Sequence, residues 1–201
     1  MNTIRQLCDR CVVLDQGKVV FEGEVEDGIG RYLKTGECLE NKVEYDFTNI
    51  PRASSFGKII HVNRFVFLKD SPKFQIGETI NISISFDSTT EIDDVRCILR
   101  IRDKDNANLI GGVLSNLFSV KKGKNSSILL SFKVGFLAEN TYILSFEIIA
   151  QDQNGNYLSY DNPKAIIPFI VCNSETNDIV WSKRYWGNVR FPDSKVEVNY
   201  E

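Results

Sequence analysis

The stretch Ile80-Asn81-Ile82-Ser83-Ile84-Ser85-Phe86 alternates strictly between apolar and polar side chains. Because successive side chains of a β-strand point to opposite faces of a sheet, this period of two predicts a strand with one buried face. The same alternation recurs over residues 95–102, 129–134 and 142–149. Polar clusters rich in Asp, Asn, Ser and Lys separate these stretches, as turns separate antiparallel strands. The sequence therefore predicts an all-β fold, an immunoglobulin-like antiparallel β-sandwich.

Two local signals refine this sandwich. Asn154-Gly155 is a strong hairpin signal, and it predicts that the strand at 142–150 turns back into a strand at 157–160. Pro168 lies inside the apolar run 166–171. Because proline has no N–H to donate to a neighbouring strand, we expect this last strand to lie at an edge or to carry a bulge there.

The beginning of the chain has a different pattern. Residues 12–14 and 19–21 are apolar and flank the turn 15–18, which predicts a short β-hairpin. Apolar side chains then recur at helical spacing over residues 29–33, and Gly36 stands where a helix would end. We therefore expect a hairpin and a helix ahead of the sandwich.

Composition excludes several classes of protein. The 201 residues are 42% hydrophobic and 25% charged, which is typical of a folded globular chain and allows one sizeable domain with an extra segment. A net charge of −3 argues against a nucleic-acid partner. No apolar run approaches the roughly 20 residues of a membrane helix, and the first residues lack the apolar core of a signal peptide. The five scattered cysteines favour a reducing compartment over a disulfide framework.

Catalytic signals are weak throughout the sequence. The single histidine, His61, lies on a predicted strand, and no spacing of carboxylates singles out a glycosidase pair. Cys8 and Cys11 form a CxxC pair without a second pair or a neighbouring histidine for zinc. We therefore expect no enzyme, no catalytic residues, no metal and no cofactor in this chain.

Two stretches of the hairpin region occur together at a specific separation. Leu7-Cys8-Asp9-Arg10 is followed by residues 14–23, Leu-Asp-Gln-Gly-Lys-Val-Val-Phe-Glu-Gly. Together they resemble the last segment of an ABC-transporter ATP-binding domain. The Walker A pattern GxxxxGKS/T, the ABC signature and an acidic Walker B strand are not in the sequence, so we expect no ATP hydrolysis. The alternative is an ordinary hairpin and helix, which many folds contain.

The second region contains five pieces in a specific order. They are residues 59–62, 74–80, 138–145 and 165–171, and Trp186. Placed directly after an ABC tail, this order resembles the C-terminal domain of Wzt-type proteins, the ATP-binding subunits of bacterial exporters for O-antigen and related polysaccharides. The family usually has Gly before the Tyr of the third piece, whereas Asn140-Thr141 precedes Tyr142 here, so that turn is expected to differ.

The two resemblances imply a division of the chain and a function. The expected parts are the tail of an ABC ATP-binding domain at 1–37, a linker at 38–57 and a carbohydrate-binding β-sandwich at 58–201. The linker contains apolar residues that could dock on a neighbouring part, namely Val43, Tyr45, Phe47 and Ile50. The resemblance implies a protein at the cytoplasmic face of the bacterial inner membrane that binds the exported O-antigen polysaccharide, often at a modified chain end. It further implies a homodimer and a transmembrane exporter subunit as partners, with ATP belonging only to the nucleotide-binding domain. A structural module that dimerises the ATPases without a sugar site is the alternative.

An arginine row is the main candidate for a binding surface. If the apolar residues between 95 and 101 face the core, then Arg96, Arg100 and Arg102 share the opposite face. Guanidinium groups bind carboxylate or phosphate oxygens in a forked geometry, which would suit an anionic cap on a glycan end. The alternative is a solvated face with cross-strand partners such as Glu147.

Four further residues match the chemistry of sugars. Asn116 and Lys133 carry polar groups that suit sugar hydroxyls. Tyr157 and Tyr160 could stack on a sugar ring, although most aromatic side chains of a sandwich belong to its core.

Overall fold

The computed structural model describes Ile4, Trp181 and residues 7–33, 42–52, 56–104, 109–152, 154–173 and 186–191. In chain order, the described elements are β1 (Arg10–Asp15), β2 (Lys18–Glu24), α1 (Val25–Leu33), β3 (Glu44–Asp46), β4 (Ile60–Phe67), β5 (Lys73–Gln75), β6 (Thr79–Ser88), β7 (Ile92–Asp103), β8 (Leu109–Leu114), β9 (Phe118–Val120), β10 (Gly123–Lys133), β11 (Asn140–Gln151), β12 (Tyr157–Asp161) and β13 (Ile167–Cys172).

Two sheets form the sandwich. The first has the strand order β10-β6-β4-β3, and the second has the order β5-β13-β11-β7-β8, with β12 also paired to β11 and β9 to β7. Within the described chain every strand pair is antiparallel except β5 with β13, which is parallel. The predicted all-β antiparallel sandwich is confirmed.

The core lies between these two sheets and is rich in aromatic rings. Phe65 of β4 stacks on Phe146 of β11 with ring centroids 5.7 Å apart, so the two sheets meet through these side chains. The alternation that predicted β6 is present, because its apolar residues are at most 3% exposed while Asn81 is exposed. Burial of these apolar faces is the main favourable contribution to the free energy of folding.

Residues 44–52 belong to the sandwich, although their composition predicts a linker. Strand β3 pairs with β4 at the edge of the first sheet. Phe47 is 2% exposed, and its ring lies edge-on to Phe146 at 5.7 Å. The side chain of Arg52 is 5% exposed and pairs with Asp161 of β12. A few buried side chains therefore attach a mostly polar segment, which a composition average does not detect.

The N-terminal hairpin and helix form as predicted. Gln16 (φ 47°) and Gly17 (φ 78°) both have positive φ in the two-residue turn between β1 and β2, as a type I′ hairpin turn requires. In α1, a Cβ on Gly28 would lie 2.0 Å from the Sγ of Cys11, so only glycine permits this close approach of helix and hairpin. The predicted helix stop at Gly36 lies outside the described residues.

Pro168 lies at a local edge of the second sheet, as predicted. Ile170 donates its N–H to the carbonyl of Pro72 at 2.8 Å, on the side of β13 where β5 pairs. Strand β5 pairs only with Ile170–Cys172, so in the described chain no strand faces the nitrogen of Pro168. The missing N–H therefore leaves no gap in the ladder of hydrogen bonds.

Candidate functional site

The outer face of the second sheet carries the predicted arginine row. In β7, the alternate residues that face the core are at most 6% exposed, namely Val95, Cys97, Leu99 and Ile101. Arg96, Arg100 and Arg102 are half-buried on the opposite face, as predicted. The register places them opposite Ile149, Ser145 and Ile143 of β11.

Two arginines of this row already have partners in the protein. Arg100 forms an ion pair with Glu147 of β11, whose side chain is 12% exposed, so the charge of this guanidinium is compensated. Arg96 donates from Nη1 to the backbone carbonyl of Ser115 at 2.8 Å, which holds its side chain across β8. The arginines of the row therefore have different partners, and the row is not a continuous surface of free cations.

A groove of about 410 Å³ lies at the β12 end of this outer face. Its lining residues come from β7, β8, β11, β12 and the loop after β8, and they are Asp94, Arg96, Leu114, Leu117, Ile149, Ala150, Gln151 and Tyr157. The volume is within the range of about 300–1,000 Å³ that small-molecule sites occupy. The groove brings together two of the predicted residues, Arg96 and Tyr157.

The polar groups of the groove are positioned by strand pairing. Tyr157 of β12 lies directly opposite Gln151 of β11, and its side chain is 70% exposed at the rim. Gln151 donates from Nε2 to the carbonyl of Gly155 at 3.2 Å, so its Oε1 is left as an acceptor. Asp94 has φ 57° and lies where the register of β7 with β9 shifts. Such a bulge redirects a side chain, and Asp tolerates this backbone conformation better than most residues.

The floor of this face contains an unusual hydroxyl. Ser159 lies opposite Ile149 in the register of β12 with β11, and Ile149 lines the groove. The Oγ of Ser159 is buried and has no hydrogen-bond partner in the described chain. A buried polar group without a partner is costly, and Ser159 does not itself line the groove.

A second cleft of about 350 Å³ lies beside the groove and shares Leu114 and Leu117 with it. It is mainly apolar and opens between the edge strands β8 and β10. Asn116 lines this cleft and is exposed, so it lies next to the groove and not in it. Cys97 also lines the cleft, and burial raises the pKa of its thiol to about 12, which makes it a poor nucleophile.

The remaining predicted residues lie elsewhere. Lys133 is exposed at the end of β10, opposite Thr79, and belongs to the other sheet. Tyr160 is half-buried and packs against the core. Arg102 lies opposite Ile143, toward the other end of β11 from the groove. The structure therefore does not join these three with Arg96 and Tyr157.

The fold can be compared with solved structures. The sandwich is similar in fold to the C-terminal domain of Wzt. A crystal structure of that domain matches with a TM-score of 0.53, over 77% of this chain and 93% of the Wzt chain, at 17% sequence identity. Identity this low establishes a shared fold with the Wzt domain and does not by itself transfer its function.

Two further solved structures share less of the fold. Alkylpurine DNA glycosylase AlkC from Pseudomonas fluorescens, bound to DNA containing an abasic site analog, has a TM-score of 0.33 and 15% identity over 50% of this chain and 27% of its own. Spo0M, a sporulation control protein from Bacillus subtilis, has a TM-score of 0.35 and 13% identity over 56% of this chain and 49% of its own. Similarity at this level supports no inference about function. No protein-family model and no curated protein sequence matches the chain.

Sequence reasoning missed two polar residues of the groove, Asp94 and Gln151. Asp94 stands in the acidic run Glu91-Ile92-Asp93-Asp94, which has the composition of a turn, and the bulge that redirects it depends on pairing with β9. Gln151 follows the alternating stretch of β11 and stands next to a polar cluster, so the sequence pattern assigns it to the turn. The signal that could have pointed to Gln151 is the Asn154-Gly155 hairpin, which places the residues on either side of it opposite each other.

Within the described ranges, no group of three His, Cys, Asp or Glu side chains is arranged to hold a metal ion. None of the helices described is long and apolar enough to cross a membrane.

Proposed function

We propose that the sandwich is a non-catalytic domain that binds the polysaccharide carried by an ABC exporter, and that the groove on its outer face is the binding site. The observation that carries this proposal is the convergence of Arg96, Gln151 and an exposed Tyr157 in one groove of about 410 Å³. The similarity in fold to the Wzt domain and the ABC-like hairpin segment support the exporter context.

The chemistry of the groove suits a sugar. Sugar hydroxyls both donate and accept hydrogen bonds, and the guanidinium of Arg96 with the amide carbonyl of Gln151 provides both complements. The exposed ring of Tyr157 offers an apolar surface for the C–H face of a sugar ring. Each contact replaces a contact with water, so we expect modest affinity for a single site.

The proposed setting explains how modest affinity would suffice. The domain would act at the cytoplasmic face of the bacterial inner membrane, attached to an ATP-binding domain that works with a transmembrane subunit. ABC nucleotide-binding domains work in pairs, so a homodimer would present two sites, and attachment to the transporter raises the effective concentration of the growing chain. Recognition of the finished, modified end of the O-antigen polysaccharide would then couple chain completion to export.

Titration with the O-polysaccharide of the producing organism tests this function. The full chain would be titrated by calorimetry with the intact polysaccharide and with the same polysaccharide after removal of its terminal modification. We expect Arg96→Ala and Tyr157→Ala each to weaken binding by about tenfold or more, because each removes a direct contact. Lys124→Ala, which removes an exposed positive charge from the other sheet, is the matched control and should bind as the unchanged protein does. Absence of binding to either polysaccharide would refute the proposal.

A structural module remains the second candidate, and an exposed aromatic cluster favours it. Phe136 is 56% exposed and Phe191 is 73% exposed, with their ring centroids 6.2 Å apart. An isolated bridge between Leu137 and Val189 holds the two segments together. If this cluster is the functional surface, deletion of residues 187–201 abolishes export while Arg100→Ala with Arg102→Ala leaves export intact.

A further inference from the structure

We infer that the groove selects a neutral sugar ring through two neighbouring hydroxyl groups, and that an anionic cap is not its ligand. This inference rests on the proposed glycan-binding function and specifies the class of glycan that the groove takes. It follows from which hydrogen-bonding groups are left free at Asp94, Gln151 and Arg96.

The groove offers both acceptors and donors that are not used within the protein. Asp94 is exposed, and neither of its carboxylate oxygens has a hydrogen bond or an ion pair in the described chain. One N–H of the Gln151 amide is bonded to the carbonyl of Gly155, which leaves its second N–H as a donor and Oε1 as an acceptor. Further donors come from Arg96, which keeps N–H groups beyond the Nη1 bond to Ser115.

This set of groups matches a pair of adjacent sugar hydroxyls. Two neighbouring O–H groups can donate to the two oxygens of the Asp94 carboxylate, while their own oxygens accept from the guanidinium of Arg96. Hydrogen bonds to charged partners are stronger than those between neutral groups, so Asp94 is expected to make a large contribution to affinity. A phosphate or carboxylate can only accept in its ionised form, and it would meet the like charge of Asp94.

The neighbouring charges do not restore an anion site. Glu147 compensates Arg100, the nearest outward arginine along β7 after Arg96. Within the groove, the positive charge of Arg96 is balanced by the negative charge of Asp94. The formal charges of Arg96, Arg100, Asp94 and Glu147 therefore sum to zero at this end of the sheet.

The apolar part of the groove fits the same ligand. Tyr157 is 70% exposed and Leu117 is 51% exposed, and both line the groove. Ile149, at 3% exposure, also lines the groove and lies opposite Arg96 of β7 and Ser159 of β12. A sugar ring placed there can rest its C–H face on these side chains while its hydroxyls reach the polar groups.

Substitution of Asp94 tests the inference with a neighbouring control. Asp94→Asn keeps the shape of the side chain and removes its charge, and Asp93→Asn removes the same charge from an exposed residue of β7 that does not line the groove. The probes are neutral oligosaccharide fragments of the organism's own O-polysaccharide, the same fragments carrying a terminal phosphate, and inorganic phosphate alone. Binding of each probe to the full chain is measured by calorimetry, and its location by NMR shifts of Tyr157 and Gln151.

The expected result is that neutral fragments bind and that Asp94→Asn weakens them by about tenfold or more, whereas Asp93→Asn does not. A change from about 0.05 M to about 0.5 M NaCl should alter this affinity by less than about twofold, because no net charge is recognised. Tighter, salt-sensitive binding of the phosphorylated fragments that improves in Asp94→Asn would overturn the neutral-sugar inference and leave the glycan-binding function standing. Binding of no fragment at all would overturn the proposed function as well.

Discussion

Substitution of Arg52 is expected to destabilise the sandwich strongly. Its side chain is 5% exposed, and the carboxylate of Asp161 that it contacts is fully buried, with N–O distances of 3.0 Å (Nε to Oδ1) and 3.2 Å (Nη2 to Oδ2). Arg52 also donates to the carbonyls of Phe47, Ile50 and Val62 at 2.7, 2.6 and 2.8 Å. One guanidinium thus joins the segment before β4 to β4 and β12.

The magnitude follows from what Arg52→Ala leaves behind. The carboxylate of Asp161 would stay buried without a cation, with the N–H of Val62 at 2.7 Å as its remaining donor in the described chain. Removing one partner of a buried ion pair costs about 3–5 kcal/mol, and three carbonyls lose a donor as well, so we expect about 4 kcal/mol. For a chain of this size that corresponds to a fall in melting temperature of about 10 °C.

Thermal and urea denaturation followed by circular dichroism would measure this loss. The control is Arg64→Ala, since Arg64 pairs with Glu44 on the surface with side chains 51% and 52% exposed, and exposed pairs contribute little. The double variant Arg52→Met with Asp161→Asn should lose less than the sum of the single variants, because neither charge is then stranded. If Arg52→Ala unfolds at the same midpoint as Arg64→Ala, the buried pair does not hold the segment to the sandwich and the reasoning is wrong.

Two more predictions concern titratable groups. Cys97 is fully buried with a pKa raised by burial to about 12, so its thiolate fraction at pH 8 is on the order of 10⁻⁴, and iodoacetamide should label it only after unfolding. Mass spectrometry that finds Cys97 labelled in the folded protein as fast as half-buried Cys172 would contradict this. The Lys69 ammonium, 2.6 Å from Glu78, and the N–H of Gln75 lower the pKa of Glu78 below its ordinary 4.5, so the folded state binds this proton less readily than the unfolded state. That stability is present above pH 4.5 and is lost as the pH falls through the lower folded value, so the urea midpoint of Glu78→Gln should fall less on acidification than that of the unchanged protein.

Much of the sandwich could be predicted from local patterns. The alternation at 80–86 shows which side of β6 is buried, and the same reasoning correctly placed Arg96, Arg100 and Arg102 on the outer face of β7. The alternative interpretation of the row named Glu147 as a cross-strand partner, and this is confirmed for Arg100, but pattern alone could not show which arginine it meets. The two residues are 47 positions apart, and their meeting depends on the register of β7 with β11.

The candidate site was predicted only in part. Arg96 and Tyr157 carry recognisable chemistry, so residue type was enough to select them. Asp94 and Gln151 were missed because one is redirected by a bulge and the other is placed by the pairing of β11 with β12. The segment at 44–52 was assigned to a linker because its few buried side chains are diluted by polar neighbours.

The amino-acid sequence by itself determined the elements of this protein: strands with one apolar face, a hairpin with a short turn at 15–18 and a helix after it. These elements depend on side-chain alternation and on backbone preferences, and both act between residues that are close in the sequence. Only the tertiary structure decided which side chains meet, including Arg52 with Asp161, Arg100 with Glu147, and Asp94 with Arg96 and Tyr157 in one groove. Those meetings depend on strand register and bulges, where a shift of one residue moves every side chain to the opposite face of the sheet.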